Sequence, residues 1–122
     1  MPTFRIKRIY EPFAPEDGFR VLVDRLWPRG ISKDRANIDL WLKDISPSDA
    51  LHRQYHGLTQ TDASAWKEFL AAYAQELTGP RAQDAATQLQ RHVKDGPVTL
   101  LYAARDEQRN NAAALQSWLE RP

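Results

Sequence analysis

The 122-residue sequence contains no cysteine, which is its most informative absence. Without a thiol the chain cannot form a disulfide, a thiolate metal site or a cysteine nucleophile. The sequence also lacks the apolar run of about 18 residues that a membrane span needs, and its N-terminus lacks the apolar stretch of a signal peptide. We therefore expect a cytoplasmic protein with no membrane partner.

Glycine is also scarce, with five residues in the chain. None of them belongs to a glycine-rich loop of the kind that holds nucleotide phosphates, and no serine has the context of a hydrolase nucleophile. His52 and His56 are four residues apart on a predicted helix, which is a spacing of zinc ligands. Arg53 replaces the glutamate of a zinc-protease motif, however, and no third ligand is evident. We expect neither a cofactor nor a metal.

The net charge is only +1, and the basic excess lies in residues 1–35, with eight Lys or Arg against five Asp or Glu. This excess is too weak for a dedicated DNA-binding protein. It leaves open an alternative function as a nucleic-acid-binding accessory protein. The side chains that would form its basic face are Arg20, Arg25, Arg29, Lys33 and Arg35.

Length and composition indicate a single globular domain over residues 1–122. A chain of this length buries about two-thirds of the surface that it exposes when unfolded. Its composition, 42% hydrophobic and 27% charged, is typical of globular proteins. No internal repeat or low-complexity segment divides it.

Hydrophobic patterns predict two buried strands and two weaker ones. Residues 19–23 (FRVLV) and 98–103 (VTLLYA) are apolar on consecutive positions, apart from one polar residue each, as in strands covered on both faces. Residues 4–10 alternate, which indicates a strand near a sheet edge, and residues 38–42 predict a short strand or a turn of helix. About eight residues join the first two strands, so we expect them to pair antiparallel if they are neighbours.

Three longer helices are predicted from apolar spacings of three and four. The clearest covers residues 61–77 and begins at Thr61 or Asp62, while the others cover residues 81–94 and 110–120. The aromatic stripe on the first of them is predicted to be core, not a cofactor site. That stripe consists of Trp66, Phe69, Leu70 and Tyr73.

Between the first buried strand and these helices, the sequence predicts a loop and a shorter helix. Residues 27–37 contain proline, glycine and several charges, which are typical of an exposed loop. Ser46 precedes Pro47 and would cap a helix that carries Leu51 and Tyr55.

This order of elements predicts an α/β domain of three layers, with a small, mostly parallel (mixed) sheet flanked by helices. A right-handed crossover would place the strand at 98–103 parallel to the strand at 19–23.

Polar residues follow both buried strands, where ligands bind in open parallel sheets. Arginines there suit carboxylate or phosphate oxygens, and a helix starting near Asn110 adds backbone N–H groups. We therefore predict that a small anionic, phosphate- or nucleotide-like ligand binds between these segments. The predicted ligand-binding residues are Asp24, Arg25, Trp27, Arg29, Arg105, Asp106, Asn110 and Asn111.

Structural roles are the alternative for several of these residues. Asp24 and Asp106 could act as bases or orient an arginine, and Asn110 could be a helix cap. Trp27 could stack on a ligand or form a packed corner. A third interpretation is a protein-interaction module in which exposed Trp27 and Trp41 dock a partner.

Three ungapped segments are distinctive: residues 21–33 (VLVDRLWPRGISK), residues 40–48 (LWLKDISPS) and residues 99–106 (TLLYAARD), followed by Asn110-Asn111-Ala112. In these segments the chain resembles the family called domain of unknown function 488, and specifically its small YeaO-like branch. The resemblance also implies a difference from the wider family, whose members end the last strand with a cysteine that is followed by a Cys-His-Arg sequence. This chain has Tyr102 and then Asn110-Asn111, so a thiol-dependent role is excluded. The resemblance implies no particular activity.

Overall fold

The computed structural model describes residues 3–57 and 62–121. Within these ranges the strands are β1 (Phe4–Arg8), β2 (Phe19–Leu22), β3 (Leu40–Trp41) and β4 (Val98–Tyr102). The helices are α1 (Lys33–Ala36), α2 (Asp49–Tyr55), α3 (Ala63–Glu76), α4 (Pro80–Asp95) and α5 (Asn111–Leu119). Short 3-10 turns occur at Pro15–Asp17 and Lys43–Ile45.

The strands form one sheet in the order β1-β4-β2-β3. Every residue of β4 is buried, as its mostly apolar run predicted. β4 pairs parallel with β2, placing Val21 opposite Leu100 and Leu22 opposite Leu101. The prediction of adjacent, parallel interior strands is therefore confirmed, and β1 and β3 lie at the edges.

β1 and β2 are not neighbours, so the condition for the expected antiparallel pair is not met. β4 lies between them, and every pairing in the described sheet is parallel, so the orientations are not mixed. The link of residues 9–18 is long enough to return to the starting edge. Ten residues reach roughly 33–36 Å when extended, whereas a five-residue strand is only about 17 Å long.

Different sets of residues pack against the two faces of the sheet. Val21, Leu100 and Tyr102 face a large core that includes residues from α2, α3, α4 and α5. Leu22 and Leu101 face a smaller core with Ala36 of α1 and partly buried residues of the β2–β3 connection. The sheet is thus the middle layer of an α/β arrangement whose helices are divided unequally.

Two predictions in the β2–α2 region are wrong in detail. Residues 27–37 are not a wholly exposed loop, because they include α1 and its buried Ala36. Ser48, not Ser46, caps α2 by accepting a hydrogen bond from the Leu51 amide at 3.1 Å. Ser46 instead precedes a proline in an extended conformation, which disfavours helix at that residue.

The longer helices follow the sequence pattern closely. Asp62 caps α3 through its carboxylate, while Thr61, the alternative cap, lies outside the described residues. Phe69 and Tyr73 are buried in the large core, and Trp66 and Leu70 pack against it half-buried, as predicted.

Candidate functional site

A cleft of about 990 Å³ lies at the carboxyl edge of the sheet. This volume is typical of small-molecule sites. The loops after β2 and β4 form one side of it, and helices α2 and α3 form another. We call it the strand-end cleft. All the predicted ligand-binding residues line it: Asp24, Arg25, Trp27, Arg29, Arg105, Asp106, Asn110 and Asn111.

Asp24 joins the ends of the two interior strands. One carboxylate oxygen accepts a hydrogen bond from the Ala103 amide, and the other accepts one from Asn111 Nδ2, each at 2.9 Å. The same amide nitrogen of Asn111 also donates to the Val23 carbonyl at 3.1 Å. Burial raises the pKa of the Asp24 carboxyl, although the two hydrogen bonds and the nearby His52 oppose this. Asp24 therefore fixes the geometry of the cleft floor.

Asp106 and Asn110 organise the start of α5. Asp106 Oδ1 accepts hydrogen bonds from the amides of Arg109 and Gln108 at 2.8 Å each, and these bonds hold its pKa below the ordinary value. Asn110 Oδ1 caps the helix by accepting from the Ala113 amide at 2.7 Å. The alternative of a helix cap is thus the observed role of Asn110.

The idea that Asp24 or Asp106 orients one of the three predicted arginines is wrong. Among the described residues, neither carboxylate forms an ion pair with Arg25, Arg29 or Arg105. Both carboxylates bind backbone amides instead, because the strand ends and the α5 turn present unsatisfied N–H groups to them.

Trp27 and Trp41 are not exposed docking residues. Both are half-buried, pack edge to face at 5.5 Å between ring centres, and join the smaller core. Their indole nitrogens donate to the carbonyls of Ile31 and Asp24, each at 2.8 Å. This corrects the docking interpretation, and the packed corner accounts for Trp27.

The arginines of the cleft differ in their surroundings. Arg25 Nε donates to the Pro47 carbonyl at 3.2 Å and lies 3.7 Å from Asp49 Oδ1. Arg29 and Arg105 are exposed, and within residues 3–57 and 62–121 neither guanidinium forms a hydrogen bond or an ion pair. They are the cationic groups of the cleft best able to contact a ligand.

The basic face of the nucleic-acid alternative is incomplete. Arg20 is 1% exposed and pairs with Asp17, while it also donates to the carbonyls of Asn37 and Ala36 at 2.9 Å. Its inclusion in an exposed basic face is therefore wrong, because its guanidinium satisfies buried backbone groups.

Helices α2 and α3, with the residue that follows α2, supply cleft residues that the strand-end argument missed. We call them the helix side: His52, Tyr55, His56, Trp66 and Phe69. Phe69 and Trp66 satisfy the periodicity of a core stripe, so nothing in the sequence pattern distinguished their cleft contact. Phe69 is core, as predicted, and it also lines the cleft.

His52 and His56 do not complete a metal site. Their rings are 5.2 Å apart between centres. The part of the chain that the structure describes contains no group of three or more His, Asp or Glu residues placed to hold a metal ion.

The comparisons with known proteins identify the family. A family model described as "Inactive DUF488-N3 subclade" matches residues 3–122. The chain belongs to this subclade of the DUF488 family. It is 43% identical over 118 residues to "Uncharacterized protein YeaO" of Escherichia coli K12, covering 96% of each chain. It is 37% identical over 115 residues to "Uncharacterized protein Rv3073c" of Mycobacterium tuberculosis H37Rv, covering 94% of this chain and 92% of the relative. No solved structure matches the chain significantly.

These relatives confirm the resemblance to the YeaO-like branch.

Among the described residues, no helix has the length and apolar character to cross a membrane. The cytoplasmic location stays a prediction.

Proposed function

We propose that this protein binds a small anion in the strand-end cleft through Arg29 and Arg105. The observation that carries the proposal is that these two exposed guanidiniums, from different loops, line one cleft without forming an ion pair among the described residues. Guanidinium groups match the oxygens of phosphates and carboxylates through paired hydrogen bonds. Two such groups in one concave site favour an anionic occupant.

The backbone around these arginines is well held, which supports a preformed site. Asp24 ties the end of β2 to Ala103 and Asn111. Tyr10 donates its hydroxyl to the Arg29 carbonyl at 2.7 Å, which fixes the loop after β2. A preformed site binds more tightly because less conformational entropy is lost when the ligand enters.

The carboxylates of the strand-end loops already bind groups of the chain itself. Asp24 and Asp106 already accept hydrogen bonds from the chain, so neither carboxylate is positioned as a free general base. The description of the subclade as inactive supports the same conclusion. We therefore propose a ligand-binding protein in which the cleft is retained for recognition.

Calorimetric titration with inorganic phosphate tests the proposal. The wild type is expected to bind saturably, and the double variant Arg29→Gln/Arg105→Gln is expected to bind at least about tenfold more weakly, since each charged hydrogen bond contributes roughly 1.5–3 kcal/mol. The control is Arg53→Gln/Arg91→Gln, which removes the same charge from exposed positions outside the cleft.

Equal weakening by the two double variants would mean that phosphate responds only to net charge. The absence of saturable binding to the wild type would overturn the proposal directly.

A further inference from the structure

We infer that the strand-end cleft has a second subsite, on its helix side, that holds an aromatic ring. The inference rests on the proposed anion site and names its ligand class: an aromatic compound that carries a phosphate or carboxylate group. The anionic group would contact Arg29 and Arg105, while the ring would contact Trp66 and its neighbours.

The helix side presents fixed aromatic surfaces. Trp66 is half-buried and stacks on Phe69 with an interplanar angle of 18° and 5.7 Å between ring centres. Tyr55 packs edge to face against the same Phe69 at 5.8 Å. The three rings hold one another in place across α2 and α3. Pre-positioned aromatic faces are the usual platforms for planar rings, because stacking costs them little conformational freedom.

The size of the cleft also points beyond a simple anion. An inorganic phosphate has only a few times the volume of one water molecule, roughly 30 Å³, whereas the cleft measures about 990 Å³. An inorganic anion on the arginines would leave the aromatic surfaces in contact with water. A ligand with a ring would cover them, and removal of apolar surface from water is favourable.

The charges of the cleft complement this ligand. Three carboxylates line it, Asp24, Asp49 and Asp106, and each already interacts with a donor or a cation of the chain. The exposed guanidiniums come from the strand-end loops, and the rings come from the helices. The cleft thus offers cationic and aromatic groups to one molecule.

The experiment compares two matched pairs of probes by calorimetry: phenyl phosphate with inorganic phosphate, and benzoate with acetate. Within a pair the anionic group is similar and only one member has a ring. We expect the aryl member to bind at least about fivefold more tightly, which is the lower end of aromatic stacking contributions. If phenyl phosphate binds more tightly than benzoate and gains more over its ring-free partner, the ligand carries a phosphate. The opposite result indicates a carboxylate.

Trp66→Leu locates the subsite. This variant is expected to bind phenyl phosphate no more tightly than inorganic phosphate, while its affinity for inorganic phosphate is unchanged. Trp118→Leu is the control, because Trp118 is also half-buried against the large core but does not line the cleft. Tyr55→Leu, at another half-buried ring of the helix side, gives a second variant if Trp66→Leu does not fold.

The failure of this inference differs from the failure of the proposed function. If inorganic phosphate binds but neither aryl probe binds more tightly, the anion site stands and the aromatic subsite is wrong. An aryl preference that persists in folded Trp66→Leu, or in Tyr55→Leu if Trp66→Leu does not fold, would also overturn the subsite. If no probe binds the wild type, both proposals are wrong.

Discussion

At the residue scale, Asp24 is the side chain on which the cleft most depends. Its two oxygens connect β4 through Ala103 and α5 through Asn111. Removal of this partly buried acceptor leaves the Ala103 amide without its partner and takes from Asn111 one of its two hydrogen bonds, and such losses are costly. Asp24 is therefore predicted to contribute to stability as well as to the shape of the cleft.

Asp24→Ala should lower the free energy of unfolding by about 2–4 kcal/mol, because both hydrogen bonds of the carboxylate are lost. The control is Asp49→Ala. Asp49 also lines the cleft, but its side chain is 69% exposed and its ion pair with Arg25 is long, at 3.7 Å. That exposed pair should contribute less than about 1 kcal/mol. Urea denaturation at neutral pH measures both values, and equal losses would contradict the role assigned to Asp24.

Asp17 is predicted to make the fold sensitive to acid. Burial alone would raise the pKa of its carboxyl, but hydrogen bonds from Lys7, the Ala14 amide and Arg20 outweigh burial and hold the pKa below its ordinary value. A carboxyl with a lowered folded-state pKa stabilises the protein above its unfolded pKa of about 3.9. The stabilisation is then lost as the pH falls through the folded-state pKa.

The stability advantage of the wild type over Asp17→Asn should therefore shrink as the pH is lowered from about 6 to about 3. Chemical denaturation at several pH values measures this difference. An advantage that stayed constant or grew toward low pH would show that the Asp17 cluster does not bind the ionised carboxylate preferentially.

At the scale of elements, Gly18 sets the contact between the β1–β2 link and β4. Its φ is +66°, and a Cβ at this position would lie 2.3 Å from the Pro97 carbonyl oxygen. Phe19, the next residue, donates its amide to that carbonyl at 2.9 Å. The link can start β2 beside β4 only because residue 18 has no side chain.

Gly18→Ala should therefore destabilise the protein more than Gly30→Ala. Gly30 has a similar φ of +77° but nothing within 4 Å of its added Cβ, so it isolates the backbone cost of about 1–2 kcal/mol. The clash with Pro97 should add about 1–3 kcal/mol at Gly18. Thermal and urea unfolding of the two variants measure the loss in the free energy of unfolding. Similar losses for both would mean that the β1–β2 link moves away from β4 at no cost.

Phe69 links the core of α3 to the wall of the cleft. Phe69→Ala should cost about 3–5 kcal/mol, because Phe69 is 7% exposed within the large core. Phe13→Ala is the matched control, with 51% of that residue exposed, and should cost much less. A near-zero change in the denaturation midpoint of Phe69→Ala would mean that this face of α3 is not core.

At the scale of the whole molecule, the sequence predicted which segments form strands and helices better than how they are arranged. The apolar runs of β2 and β4 predicted two interior parallel strands because only strands covered on both faces tolerate such runs. The alternation in β1 indicated an edge but contained no information about its partner. The short link suggested an antiparallel pair only if the two strands were neighbours, and β4 occupies the position between β1 and β2.

For the cleft, too, the sequence predicted which segments meet better than which groups bind one another. The rule that parallel strands end at one edge predicted that Asp24 and Arg105 line one site. Residue type could not reveal that Asp24 binds an amide and an asparagine instead of an arginine, since that depends on which donors the folded loops leave unsatisfied. Trp66 and Phe69 were predicted as core because a helix face can pack against a core and border a cleft at once.

The cleft depends on single residues, on several secondary-structure elements and on the fold as a whole. Residues of two strand ends, three helices and the loop after β2 meet there, and its exposed Arg29 and Arg105 have no ion-pair partner among the described residues. We propose that an anion bound by Arg29 and Arg105 occupies this cleft when the protein functions.

Titration of ¹⁵N-labelled protein with inorganic phosphate, followed by NMR, tests that claim most directly. Signals of backbone amides and arginine side chains report the location of binding residue by residue. We predict saturable shifts confined to residues 24–30 and 103–111, with the side-chain signals of Arg29 and Arg105 among the largest. Shifts that do not saturate, or that map to the exposed face of α4, would contradict the claim.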